Sequence, residues 1–347
     1  MKRVIIIGGG FAGTHIARKL EKEFNTTLID NKEYFEYTPG ILRTIVEPSH
    51  SKKIQCKHSA YLKNTEFICG QVTSVSQNSV TCLGKRIPYD YLVLASGSSY
   101  GAPIKGGAVV SADRAATLYE HHEKVKQSQH ILIIGGGIVG VELAAEIAEV
   151  FPGKNITIAE SNERLMRRSH PKTHEYAEKH LKRHGVNILY NERVEGKKGT
   201  QYITKKATKI DADIAFLCIG ITPNSMYLRR NYKDMLDERG FIKVNKYLQV
   251  KGHSHIYAPG DINNIKEEKL AQNAEIQAEI VVKNIKNQER KQKLEAYETK
   301  KRVIVISLGK KKGILLKKDF VINGTLPAII KEGIERYIMF TKGGFKC

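Results

Sequence analysis

The residues of this sequence most able to do chemistry are two glycine clusters, Gly8-Gly9-Gly10-Phe11-Ala12-Gly13 and Gly135-Gly136-Gly137-Ile138-Val139-Gly140, set 127 residues apart. Each follows an apolar run, Val4-Ile5-Ile6-Ile7 in one case and Ile131-Leu132-Ile133-Ile134 in the other, and each opens a helical pattern. A strand, a tight glycine turn and a helix start bring backbone N–H groups close to a pyrophosphate, and the helix N-terminus adds partial positive charge. An acidic residue closes the next strand in both copies: Asp30 after Thr26-Thr27-Leu28-Ile29, and Glu160 after Ile156-Thr157-Ile158-Ala159. A carboxylate there accepts hydrogen bonds from the ribose hydroxyls of an adenosine and repels a 2′-phosphate. A single glycine cluster is compatible with an ordinary strand-to-helix turn. Two of them, each with its carboxylate in place, point to two bound dinucleotides. The pattern favours FAD at the first site and NADH over NADPH at the second. Arg164, Arg167 and Arg168 follow Glu160 closely and either accommodate a 2′-phosphate or form a solvated basic helix start.

Such motifs need parallel sheets and crossover helices to hold them, and strand and helix patterns do alternate through residues 1–300. The fold expected is α/β: two Rossmann-type three-layer domains, the second inserted in the first, followed by a short C-terminal β-hairpin and an amphipathic helix. The expected bounds are 1–107 with 241–300 for an FAD-binding domain, 108–240 for an NADH-binding domain and 301–347 for the hairpin and helix. Ala95-Ser96-Gly97 would leave the first domain, and Gly220 with Ile221-Thr222-Pro223-Asn224 would lead back to it. Small residues at these strand ends permit close backbone approach to ligands. Gly260-Asp261 ends another strand just before a helix and so places a carboxylate at the same crevice, with a turn-forming Asp as the alternative. Strands around 66–75 and 79–82 look like a hairpin.

The bulk numbers narrow the class. No run of 18 apolar residues is present, so no membrane-spanning helix is expected. Met1-Lys2-Arg3 leads straight into the first strand, so neither a signal peptide nor myristoylation is expected. The cysteines, Cys56, Cys69, Cys82, Cys218 and Cys347, are scattered without a CxxC pair, which fits a reducing cytoplasm. Cys347 forms no CaaX box. His170, His174, His180 and His184 fall at helical spacing, but without HExxH they read as a solvated face, and no metal is expected. Net charge is +21, and residues 283–347 hold 17 Lys and Arg against 6 Asp and Glu. Basic segments attract anionic membranes and nucleic acid alike. No nucleic-acid-binding module is visible, so no nucleic acid is expected.

The motifs together resemble the flavoproteins with two dinucleotide-binding domains. Within them the chain is similar to type II NADH dehydrogenases and, most closely, to the ferroptosis-suppressor branch of the apoptosis-inducing-factor-like family. The resemblance is carried by residues 135–147, by Asn245-Lys246-Tyr247-Leu248-Gln249-Val250 with the stretch to Ala258, and by Gly260-Asp261. It implies that Gly8, Gly9, Gly10, Phe11, Ala12, Gly13 and Asp30 bind the ADP half of FAD. Arg43 would reach the FAD phosphates or flavin, Val72 would meet the adenine by its backbone, and Asp261 would hold the ribityl or pyrophosphate region. A helix starting near Leu270-Ala271-Gln272 would aim its positive end at the flavin pyrimidine ring. Gly135, Gly137, Ile138, Val139, Gly140 and Gly220 would serve NADH, with Glu142 near the nicotinamide. Gln272 and Gln277 would face a quinone carbonyl; exposed polar positions on a helix are their alternative.

Absences then sort the relatives. Disulfide reductases and sulfide oxidisers of this superfamily need paired cysteines at the flavin, and here the cysteines are scattered. The reading that follows is an enzyme passing a hydride from NADH to flavin and electrons on to a quinone. Its competitors are an NADH reductase of a ferredoxin or rubredoxin, whose acidic surface a basic face would suit, and a redox signalling module of slow turnover. In the tail, Leu326, Ile329, Ile330, Ile334, Tyr337 and Ile338 recur at i, i+3, i+4 spacing while Lys331, Glu332, Glu335, Arg336 and Lys342 take the other face. A helix over 326–341 is expected, its apolar stripe lying on an anionic membrane, on the FAD domain or on a second subunit.

Overall fold

The computed structural model describes residues 1–100 and 111–343. Its frame is a parallel five-stranded sheet in the order Ile256–Tyr257, Tyr91–Leu94, Arg3–Ile7, Asn25–Asp30, Glu66–Cys69. The strands are runs of β-branched and aromatic residues with Val4, Ile6, Leu28, Leu92 and Val93 fully buried, as a sheet covered on both faces demands. The helices Phe11–Leu20 and Ala271–Glu289 pack against each other and place Ile16, Ala17, Leu20, Ala278, Val281 and Ile285 in the core.

A second parallel sheet orders Asn187–Tyr190, Asn155–Glu160, His130–Ile134 and Ile214–Leu217. The strand Ile256–Tyr257 of the first sheet comes after all of the second in sequence, so the chain leaves the first sheet and returns to it. The two passages touch where Ser98–Ser99 pairs antiparallel with Thr222–Pro223. The boundary expected between 107 and 108 lies outside the described residues, as does Cys347.

Two local expectations change. Glu66–Cys69 is a strand of the main sheet, and Val72–Val75 belongs instead to an antiparallel sheet with Ser79–Cys82 and Lys85–Pro88. Gly70 and Gln71 separate the two, because a parallel edge strand and an antiparallel hairpin cannot share one continuous extension. The tail has three strands rather than two, Ile304–Leu308, Lys312–Lys317 and Phe320–Gly324. Lys318, at φ 53°, makes the extra turn without the glycine that would have announced it.

The helix Thr325–Gly343 follows and divides the expected apolar stripe: Ile338 packs on the core and Ile330 and Ile334 are half-buried, but Leu326, Ile329 and Tyr337 are exposed. Lys331, Glu335 and Lys342 turn inward, beside Pro327 and Met339, while Leu326, Ile329, Tyr337 and Phe340 are 53%, 61%, 69% and 59% exposed. Among the described residues no helix is long and apolar enough to cross a membrane. Cys69, Cys82 and Cys218 carry free thiols, and Cys56 is disulfide-bonded.

Candidate functional site

The two glycine turns are built by the same contacts. A Cβ on Gly13 would lie 1.8 Å from the Gly8 carbonyl oxygen, and one on Gly140 would lie 2.0 Å from that of Gly135. Only glycine lets helix and turn approach so closely. Gly10 and Gly137 do the opposite: a Cβ on either would meet nothing within 4 Å. These are the N-caps of the helices Phe11–Leu20 and Ile138–Val150, and no side chain caps either N-terminus. Each helix thus leaves first-turn N–H groups beside open space, the arrangement that receives a phosphate.

The two carboxylates also mirror each other. Asp30 and Glu160 are both 6% exposed. Asp30 Oδ2 accepts the Gly9 N–H, and its Oδ1 accepts the Lys32 N–H at 3.0 Å. Glu160 Oε2 accepts the Gly136 N–H at 2.6 Å, and its Oε1 accepts the Asn162 N–H at 2.8 Å and the Asn162 side-chain amide. Arg167 donates to Asn162 Oδ1 at 3.1 Å, which holds its guanidinium one residue away from Glu160. Sequence reasoning missed what stands behind Asp30. His58 is fully buried, its Nδ1 shares a hydrogen with the Tyr61 hydroxyl, and its Nε2 lies 4.0 Å from Asp30 Oδ2 without a hydrogen-bond partner. Burial pushes the His58 imidazole down to about 4, so it is neutral at pH 7.

A cavity of about 630 Å³ runs along the carboxyl ends of all five strands of the first sheet, the place where ligands bind in open α/β sheets. Gly70 and Val72, Asp30, Gly8 to Ala12, Ala95 to Gly97, and Gly260 with Asp261 line it strand by strand, and Ala271 closes it with Lys269. Val139 and Glu142, from the helix behind the second glycine turn, reach the same cavity, while Gly135, Gly136 and Gly137 do not line it. Ser98 Oγ donates to Asp261 Oδ2 at 2.8 Å, and Lys269 Nζ to the Asn263 carbonyl at 2.8 Å. Burial lowers the Lys269 pKa below the usual lysine value. No cysteine lines the cavity among the described residues.

Glu142 is tied to the tail. Its Oε1 accepts the Ser307 N–H at 2.8 Å and the Ser307 hydroxyl at 3.0 Å, and Lys331 Nζ from the carboxy-terminal helix completes an ion pair. Nothing local in the sequence signals either partner, since both lie more than 160 residues away.

Arg43, Gln272 and Gln277 do not line the cavity. Arg43 sits on the 3-10 turn Thr38–Ile45, whose Thr38, Pro39, Ile41 and Leu42 line the cavity, but its own side chain leaves on the other face. There it donates to Glu146 at 2.9 and 3.3 Å. Gln277 is 1% exposed and braces the turn before the helix: it accepts from the Gly260 N–H and Asn263 Nδ2 and donates to Glu267. Its oxygen is doubly engaged and it does not line the cavity. Gln272 points out to the Val303 carbonyl at 3.3 Å and is not on the cavity. Gly220, at φ +117°, stands beside the cavity-lining Ile221 without lining the cavity itself. The histidine series bears no metal cluster among the described residues; His174 meets Glu178, and His180 stacks on His184.

The profile of the pyridine nucleotide-disulphide oxidoreductase family matches residues 2–278. This chain belongs to that family. It is 34% identical to apoptosis-inducing factor homolog A of Dictyostelium discoideum, over 90% of this chain and 84% of the relative. It is 33% identical to human ferroptosis suppressor protein 1, over 94% and 92%. Its fold is also that of the solved sulfide:quinone oxidoreductase of Aquifex aeolicus, with a TM-score of 0.84 at 18% identity, over 99% of this chain and 92% of that one. The chain is therefore an oxidoreductase of the kind that works with FAD and NAD(P)H. The residues present fit such groups: two open, uncapped helix N-termini for phosphates, each with a buried carboxylate at the strand end beside it.

Proposed function

We propose that this protein oxidises NADH through bound FAD and reduces a quinone at the surface of an anionic membrane. The observation that supports the reading is the cavity itself: the first glycine turn and two residues of the helix after the second, Val139 and Glu142, line one space that has no cysteine in its lining among the described residues. When bound, FAD accepts a hydride from the nicotinamide and releases electrons to an acceptor. That no thiol lines the cavity among the described residues supports a diffusible acceptor rather than a protein disulfide.

The chain's own residues bind and orient. The first glycine turn, Asp30 and the Val72 backbone would hold the adenosine diphosphate half of FAD. Asp261, fixed by Ser98, and the N-terminus of the helix Ala271–Glu289 would hold the flavin half. Gly135, Gly137, Ile138, Val139 and Gly140 would hold the pyrophosphate of NADH, and Glu142 would bound the nicotinamide side of the cavity. Glu160 supports NADH over NADPH because a 2′-phosphate would approach its carboxylate while Asn162 holds Arg167 back. The exposed stripe Leu326, Ile329, Tyr337 and Phe340, in a basic tail, supports attachment to anionic lipid.

Steady-state NADH oxidation with a soluble quinone, run beside the same assay with ferredoxin and with NADPH, tests the reading. Quinone should support turnover at least tenfold above ferredoxin. Ferredoxin outrunning quinone would transfer the assignment to a protein electron acceptor, and turnover too slow to measure with either would favour a redox signalling role.

A further inference from the structure

Behind the carboxylate of the first glycine turn the fold buries an imidazole, where the second turn makes do with a leucine. His58 opens the short helix His58–Tyr61, and its backbone N–H donates to the Glu33 carbonyl at 2.9 Å, which ties that helix to the loop after Asp30. The ring is fully buried beside Phe67, with centroids 4.9 Å apart. It also lies against the glycine turn itself. A Cβ on Gly9 would stand 2.5 Å from Asp30 Oδ2, 2.5 Å from His58 Cε1 and 2.6 Å from His58 Nε2. The same construction on Gly136 meets Leu165 Cδ2 at 2.5 Å and Glu160 Oε2 at 3.1 Å. An apolar side chain fills this place at the second turn, so packing alone does not call for an imidazole at the first.

The polar atoms of the ring decide what it does there. Its Nδ1 is bonded to the Tyr61 hydroxyl, and its Nε2 completes no hydrogen bond, although Asp30 Oδ2 is 4.0 Å away. The Lys32 backbone also faces the ring. A lone pair on Nε2 would oppose the carboxylate, so the proton belongs on Nε2 and Tyr61 donates to Nδ1. Asp30 Oδ2 accepts the Gly9 N–H, Oδ1 accepts the Lys32 N–H at 3.0 Å, and Asp30 lines the cavity. We propose that His58 is a positioning residue for Asp30, holding its carboxylate in the orientation that receives the ribose hydroxyls of the FAD adenosine. His58 does not itself line the cavity, so it acts through Asp30 alone. The inference rests on reading the first glycine turn as the FAD site. An uncharged donor also leaves the carboxylate its full negative charge, which a lysine in the same place would cancel.

The test uses the full-length chain stripped of flavin and titrated with ADP and with 2′-deoxy-ADP, which lacks one ribose hydroxyl. The wild type should bind ADP about tenfold more tightly than the deoxy form, as a charged acceptor for that hydroxyl requires. His58→Leu, which copies the second turn, should narrow that preference about fivefold, the worth of one neutral hydrogen bond, and weaken FAD by a similar factor. His58→Gln keeps an N–H at the same reach and should recover most of the loss. A merely structural role would weaken both nucleotides equally and leave the preference unchanged, which overturns the inference, as does His58→Gln behaving like His58→Leu. Asp30→Ala is the reference arm. If it abolishes the preference while His58→Leu keeps it, His58 alone is refuted, and if it changes neither the preference nor FAD affinity, the first-site reading falls. Should His58→Leu fail to fold, histidine-selective NMR of the wild type decides. The His58 proton should sit on Nε2 and its resonance should move when ADP is added; a proton on Nδ1, or a resonance that ADP leaves in place, refutes the positioning role.

Discussion

Removing the Lys331 charge should loosen the carboxy-terminal helix by an amount the structure lets us bracket. The Lys331 and Glu142 side chains are 18% and 9% exposed, so the pair is far from the solvent-screened case, whose worth is at most about 1 kcal/mol. Breaking a fully buried pair costs about 3–5 kcal/mol because one charge is left uncompensated. Here the Glu142 carboxylate would keep its two hydrogen bonds from Ser307, so Lys331→Met should cost about 2–3 kcal/mol. At about 2.1 cal/mol/K of unfolding entropy per residue, that corresponds to a Tm lower by roughly 3–4 °C for a chain of 347 residues. A double-mutant cycle isolates the pair: Lys331→Met, Glu142→Gln and the double variant, each followed by thermal unfolding of the FAD-loaded protein. The double variant should cost less than the two singles together, with a coupling of about 2 kcal/mol. A coupling below about 0.5 kcal/mol would place the pair in the exposed class and refute the claim that it anchors the tail.

Asp30→Ala should weaken FAD binding by about 1.5–3 kcal/mol, roughly 10- to 150-fold, as a charged acceptor for the ribose hydroxyls is lost; stoichiometric FAD at wild-type affinity would sink the first-site reading. Glu160→Gln should shift the NADPH-to-NADH ratio of kcat/KM toward NADPH by about tenfold, and equal values for the two nucleotides in the wild type would already contradict the proposed preference. His58, held near 4 by burial against an unfolded value near 6.5, leaves the unfolded chain binding the extra proton between those values. Stability therefore rises with pH through that window, and acidification from 6.5 to 4 should cost the wild type about 3 kcal/mol more than His58→Gln. Parallel urea titrations at both pH values measure this, and identical pH slopes would show that His58 is not buried neutral.

What the sequence revealed was whatever is carried locally. The glycine turns, Asp30 and Glu160 each lie within one strand–turn–helix unit, and their geometry follows from spacing. The partners of Arg43 and Gln277 were not legible for a common reason: Glu146 and the Gly260–Asn263 turn approach from segments that no local pattern connects to them. Ser307 and Lys331 stayed invisible as partners of Glu142 on the same ground. Periodicity found the tail helix but not its faces: Ile330, Ile334 and Ile338 are half-buried while Leu326, Ile329 and Tyr337 are exposed, and Lys331 and Glu335 turn inward while Glu332 and Arg336 do not. It could not say which face turns inward, because that depends on the carboxylates waiting on the other side.

The orientation of that helix carries its own energetic argument. Leaving Leu326, Ile329, Tyr337 and Phe340 between 53% and 69% exposed forgoes burial worth on the order of 5 kcal/mol in all, at about 1.5–3 kcal/mol for each fully buried side chain. Turning the helix over would expose Pro327, Ile338 and Met339, which now pack inward, and would strand Glu142 without Lys331, so the ion pair and these side chains together set the orientation. A second apolar phase is then the natural cover. A bilayer and a second copy of the chain both qualify, and they differ in what drives the covering. Sedimentation with anionic liposomes should remove the full-length protein from the supernatant at low salt and release it at high salt, while a chain cut after residue 324 stays soluble throughout. Retention of the intact chain in the supernatant at every lipid concentration, with an apparent mass that rises with protein concentration, would assign the stripe to a dimer and defeat the membrane reading.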